Sequence, residues 1–110
     1  MSRSNRENRR PGYAIEFYCG NQNFHAKLGF DGRKLIEVFL TCGKIGSDAN
    51  LIMREASILL SYALQSGADP EEMKASMPRR NNGSPEGPIG TLLDLITSEA
   101  EKDAMEEMLE

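Results

Sequence analysis

The sequence predicts an α+β domain: a three-stranded antiparallel meander followed by three helices packed on one face of the sheet, in the order βββααα. Three observations carry this reading. Apolar side chains alternate with period two in three successive runs between Tyr13 and Cys42. Short turn signals, Gly20-Asn21 and Asp31-Gly32, separate those runs. Beyond Ser47 the apolar spacing changes to three and four residues, the period of a helix.

The first run, Tyr13 to Cys19, puts Ile15, Phe17 and Cys19 on one face and Ala14, Glu16 and Tyr18 on the other. The second, Asn23 to Phe30, faces Phe24, Ala26, Leu28 and Phe30 one way and His25 and Lys27 the other. The third, Lys34 to Cys42, sets Ile36, Val38, Leu40 and Cys42 against Leu35, Glu37, Phe39 and Thr41. One sheet face is therefore wholly apolar and demands a cover. The glycine-containing loop from Gly43 leads to Ser47, an N-cap residue, with Asp48 in the first turn where the helix dipole favours an acid. Residues 48–66 then read as a helix. Leu51, Ile52, Ile58, Leu59 and Tyr62 lie at helical spacing, and Met53, Ala56, Leu60 and Leu64 widen the apolar surface. That breadth predicts burial on more than one side. Gly67 supplies the C′ stop. Asp69-Pro70 opens a second, short helix that carries Met73 and Met77 and stops at Pro78. Residues 78–88, rich in Pro, Gly and Asn, read as a mobile loop. Ile89, Leu92, Leu93 and Ile96 mark a third helix, which Ala100, Ala104, Met105 and Met108 extend with an end that frays.

The chain has 110 residues and a net charge of −4, from 13 Lys+Arg and 17 Asp+Glu. That length suits one domain and excludes a multidomain enzyme. The charge is segregated. Residues 1–12 form a basic arm of +3, residues 13–96 form the domain at −2, and residues 97–110 form an acidic helical extension or tail of −5. No apolar stretch approaches the ~20 residues of a membrane span, and the Arg-rich start is not a secretory signal. A cytoplasmic protein without membrane contact is expected. Cys19 and Cys42 fall at apolar strand positions and read as buried thiols; with one His in the chain, no metal site and no cofactor are expected.

Three sets of residues are candidates for binding. The loop residues Lys44, Gly46, Ser47 and Asp48 lie at a helix N-terminus, where free N–H groups hold anions, although the glycine spacing is not that of a phosphate-binding loop. Arg3, Arg6, Arg9 and Arg10 form an arm suited to nucleic acid. Tyr18, His25, Lys27, Leu35 and Phe39 make the second sheet face half apolar, a face for a protein partner or a second copy of the chain.

Ile36-Glu37-Val38-Phe39-Leu40, Gly43-Lys44-Ile45-Gly46-Ser47-Asp48 and the run from Leu59 to Glu72, which ends Gly67-Ala68-Asp69-Pro70-Glu71-Glu72, resemble the TSCPD domain. That domain lies towards the C-terminus of adenosylcobalamin-dependent ribonucleotide reductases and also occurs in small stand-alone proteins, some from alphaproteobacteria and their prophages. The resemblance covers residues 14–96. The Thr-Ser-Cys-Pro-Asp motif that names the family corresponds to Gly83-Ser84-Pro85-Glu86-Gly87-Pro88-Ile89-Gly90, which keeps a proline and has no cysteine. No thiol role of that motif is therefore expected here, and since 110 residues cannot hold the reductase's barrel, cobalamin site and active-site cysteines, the resemblance implies its accessory domain without the radical chemistry.

The expectation from the sequence is a non-catalytic binding or regulatory module, acting by protein–protein contact as a homodimer or with another protein. One alternative is nucleic-acid or nucleotide binding through the Arg arm and the Gly43–Asp48 loop. For a phage-borne copy, another is inhibition of a host protein, with the acidic end imitating nucleic acid.

Overall fold

A computed structural model describes residues 12–42 and 47–109. Three strands, β1 (Gly12–Cys19), β2 (Gln22–Asp31) and β3 (Lys34–Cys42), form an antiparallel sheet in the order β1-β2-β3. The reversals at Gly20 and Gly32 need φ values of +63° and +64°, a region where glycine alone is unstrained. Four helices follow: α1 (Asp48–Gln65), α2 (Pro70–Ser76), α3 (Pro88–Ile96) and α4 (Glu99–Leu109). The α+β class, the meander and the helices after it are as the sequence predicts.

The inner sheet face is the one the alternation assigns. Phe17, Phe24, Ala26, Leu28, Phe30, Val38, Leu40 and Cys42 are buried there, and Phe17 stacks on its cross-strand partner Phe24 with ring centres 5.4 Å apart. Leu92, Leu93 and Ile96 of α3, Met105 of α4, and Leu60 and Leu64 of α1 complete this core.

Helix α1 reaches the core from the side. Its Asn50, Ser57, Ser61 and Gln65 fall in one line along the helix, and that line meets the outer edge of β3. The Leu40 N–H donates to Ser57 Oγ at 2.9 Å, the Val38 N–H to Ser61 Oγ at 3.0 Å and the Cys42 N–H to Asn50 Oδ1 at 3.2 Å. In return Ser61 Oγ donates to the Val38 carbonyl, and Gln65 Nε2 donates to that of Ile36. Asn50 and Ser57 are the polar residues buried among the described positions, and both are spent on this edge. Ser47 caps α1 as predicted, accepting from the Asn50 N–H at 3.1 Å.

Three expectations are corrected. Helix α1 is not buried on several sides, because its polar line, rather than its widest apolar face, is turned to the sheet. Residues 78–88 are not a free loop but a closed turn. Arg79 and Pro85 form a β-bridge, and the Arg79 guanidinium ties the carbonyls of Lys74 and Gly83 to both carboxylate oxygens of Asp94 at 2.7 and 3.1 Å. Buried Gly90 seats α3 on this turn, its position close enough that an added Cβ would lie 3.2 Å from Met77 and Pro85. Finally, the last helical pattern does not extend α3. The chain turns at Thr97-Ser98, and Ser98 Oγ accepts from the Glu101 N–H to start α4. Helix α4 is held by Tyr13, whose hydroxyl donates to Glu101 Oε2 at 3.0 Å, by an Arg33–Glu106 ion pair and by Lys102 to Glu71 of α2. Burial first, and then the Glu101 carboxylate, push the Tyr13 hydroxyl pKa upward.

The Arg79 guanidinium holds the Asp94 carboxyl below its ordinary value of 3.8, chiefly through the paired hydrogen bonds. A depressed folded-state pKa contributes stability that is complete above 3.8 and is lost as pH falls through the folded value. Asp94→Asn is therefore expected to be roughly 1 kcal/mol less stable than the parent at neutral pH, the range of a partly exposed pair. In urea titrations from neutral to acid pH that gap should close, and a gap constant with pH would refute the assignment.

Candidate functional site

The candidate residues scatter over the structure in a way that sorts them. Arg3, Arg6, Arg9, Arg10, Lys44 and Gly46 lie outside the described residues. Of the anion-site set, Ser47 already spends its hydroxyl on the α1 cap and Asp48 is an exposed first-turn acid.

The sheet-face set is partly assembled. Tyr18, His25, Lys27 and Phe39 are exposed on the outer face. His25 lies between its strand neighbours Glu16 and Thr41, with Nε2 3.8 Å from the Glu16 carboxylate, and Lys27 lies between Ala14 and Phe39. The His25–Glu16 pair is open to water on both sides and contributes little to stability. Leu35 does not belong here. The β2–β3 register shifts between Gly29 and Phe30, so Leu35 pairs with Phe30 and packs against the core. This bulge reverses the face that strict alternation assigns.

The larger feature is the outer side of α1. Leu51, Ile52, Ile58, Leu59 and Tyr62 are 53–70% exposed, although such side chains are usually buried. Their exposure follows from the edge contact. With Asn50, Ser57, Ser61 and Gln65 committed to β3, the side chains of Leu51, Ile52, Ile58, Leu59 and Tyr62, about 80–200° further round the helix, point away from the sheet. Between this helix face and the outer sheet face runs an open groove of about 480 Å³, lined by Lys27, Phe39, Ile58, Tyr62 and Gln65 among others. Phe39, 47% exposed, lines this groove from the sheet side, opposite Ile58 and Tyr62 on the helix side. The spacing of Leu51, Ile58 and Tyr62 is visible in the sequence. That it faces outward is not, unless the polar line is recognised as the buried side.

With about half to two thirds of each side chain still open, covering it would contribute about 1–2 kcal/mol. Contiguous exposed apolar surfaces of this kind mark sites of protein or ligand contact. Among the described residues, no cluster of three or more His, Cys, Asp or Glu is placed to hold a metal ion, and no helix is long and apolar enough to cross a membrane. Cys19 and Cys42 are not bonded to each other.

The adjacent residues Leu59 and Leu60 give a direct check on this orientation. In dilute solution Leu59→Ala is expected to change stability by less than about 0.5 kcal/mol, as an exposed position does. Leu60→Ala should cost about 2–5 kcal/mol by opening the core. Equal costs in chemical denaturation would show that α1 is turned differently.

The TSCPD domain family matches residues 2–99, which takes in the basic arm, the sheet and the helices through α3 and ends where α4 begins. No curated protein and no solved structure matches the chain. The matched region includes the strands and the Gly67–Glu72 junction on which the resemblance rested, and it extends over nearly all of the 110 residues. The chain belongs to the TSCPD domain family, known as an accessory domain of ribonucleotide reductases.

Proposed function

We propose that this chain is a non-catalytic binding module that regulates its target by protein–protein contact, and that the contact is made by the outer side of α1 together with Phe39. The observation that carries the reading is the exposure of Leu51, Ile52, Ile58, Leu59 and Tyr62 on a helix anchored along its opposite side. A helix fixed in this way presents its apolar side chains with little further ordering cost, which favours association. The groove beside Phe39 continues that surface and offers a recess for a partner side chain. The family's place as an accessory domain supports a role exerted on another protein rather than a reaction of its own.

A photo-crosslinking residue in place of Leu59 tests this in the native cell. A discrete protein adduct, a second copy of the chain included, is expected at position 59 and not at exposed Lys34 on the β2–β3 hairpin. Free wild-type protein should compete the adduct away, and Ile58→Lys protein should compete about tenfold less well. No adduct at position 59, or the same adducts from both positions, would overturn the reading.

A further inference from the structure

We propose that the occupant of the α1 surface is a second copy of this chain, its α1 laid antiparallel across a two-fold axis between Ile58 and Leu59. This deepens the binding reading above and rests on it.

Two observations select a second copy. The first is area. Leu51, Ile52, Ile58, Leu59, Tyr62 and Phe39 are 47–70% exposed. At about 150–250 Å² per large side chain, they leave roughly 500–900 Å² of mostly apolar surface open. A standard interface takes ~800 Å² from each partner, so this patch with a modest polar rim suffices for a stable pair.

The second observation is self-complementarity, which a two-fold interface requires because each patch must fit itself. The apolar face carries one carboxylate at its centre, Glu55, exposed between Leu51 and Ile58 on neighbouring turns. Any occupant that covers this face must offer Glu55 a donor, since an unpaired buried charge is costly. Tyr62 lies two turns further along almost the same line of the helix, seven residues from Glu55. An antiparallel copy about an axis between Ile58 and Leu59 brings position 55 of one helix opposite position 62 of the other, twice. Each Tyr62 hydroxyl then donates to the partner's Glu55, and the two copies of Ile58 and Leu59 pack between those bonds. Moving the axis to Glu55 would instead oppose the two carboxylates. The 18-residue helix, about 27 Å long, accommodates the full overlap.

The test uses the purified full chain. Light scattering after size exclusion should give twice the 12.2 kDa chain mass. Leu59→Lys should reduce it to one chain mass with an unchanged circular dichroism spectrum, while Tyr18→Lys on the far part of the sheet should leave the pair intact. Tyr62→Phe should weaken association about tenfold or more. Geometry is read separately by oxidative crosslinking in a Cys19→Ser background. Leu59→Cys, beside the axis, should form a covalent dimer. Ile52→Cys should not, because its two copies lie about 20 Å apart along the helices at 1.5 Å per residue. A single chain mass at every concentration would overturn the proposal, as would a pair that survives Leu59→Lys or crosslinks at position 52 and not at 59. A monomer that still gives a position-59 adduct to another protein in the cell would remove the second copy as occupant and leave the binding module standing.

Discussion

A strand at the end of a sheet turns half of its backbone N–H and C=O groups outward, and under a helix those groups must find partners other than water. In this chain the N–H groups of Val38, Leu40 and Cys42 and the carbonyls of Ile36 and Val38 face that problem, and α1 supplies the partners from Asn50, Ser57, Ser61 and Gln65. Side-chain bonds fix both the distance and the rotation of the helix far more closely than apolar packing would. Ser57 shows this best, accepting from Leu40 while donating to the Met53 carbonyl of its own helix. Once that rotation is set, Leu60 and Leu64 enter the core and Leu51, Ile58, Leu59 and Tyr62 face outward. The apolar surface that distinguishes this molecule is a geometric consequence of closing a sheet edge.

Because α1 takes the edge, the inner sheet face needs another cover. Helices α3 and α4 provide it with Leu92, Leu93, Ile96 and Met105, while α2 and the turn pinned by Arg79 hold α3 in place. Residues 83–90 form part of that turn, with Pro85 bridged to Arg79 and Gly90 closely packed. In this chain their contribution is to pack α3 against α2. The acidic C-terminal segment likewise has structural work, since Glu101 and Glu106 bind Tyr13 and Arg33 across the domain. The family match ends at residue 99, where α4 begins.

Much of this was legible in the sequence. The alternation from Phe17 to Cys42 located the inner face, Gly20, Gly32 and Gly67 marked reversals that all have positive φ, and Ser47 and Asp69 marked helix starts. The failures share a cause, namely that a periodic count cannot see long-range partners. Strict alternation puts Leu35 on the wrong face because one bulge shifts the period by a residue. The rotation of α1 does not follow from the pattern because its apolar residues surround most of the helix and mask the line of Asn50, Ser57, Ser61 and Gln65. The break before α4 did have a local signal, Ser98 followed three residues later by Glu101, the spacing of a capping box. The proposed binding surface was visible as a list of residues and not as a surface, because its exposure depends on bonds to β3.

The proposed function and the fold therefore meet at one place. A binding module needs apolar side chains held outward without collapse, and the polar seam between α1 and β3 does this. Amide hydrogen exchange of β3, read residue by residue by NMR, tests the seam most directly. The account predicts that the outward amides of Val38, Leu40 and Cys42 are protected to the level of the β2 amides in the sheet centre, and that Leu40 loses this protection in Ser57→Ala. Exchange of these amides in the wild-type chain at the rate of an open strand edge would contradict it.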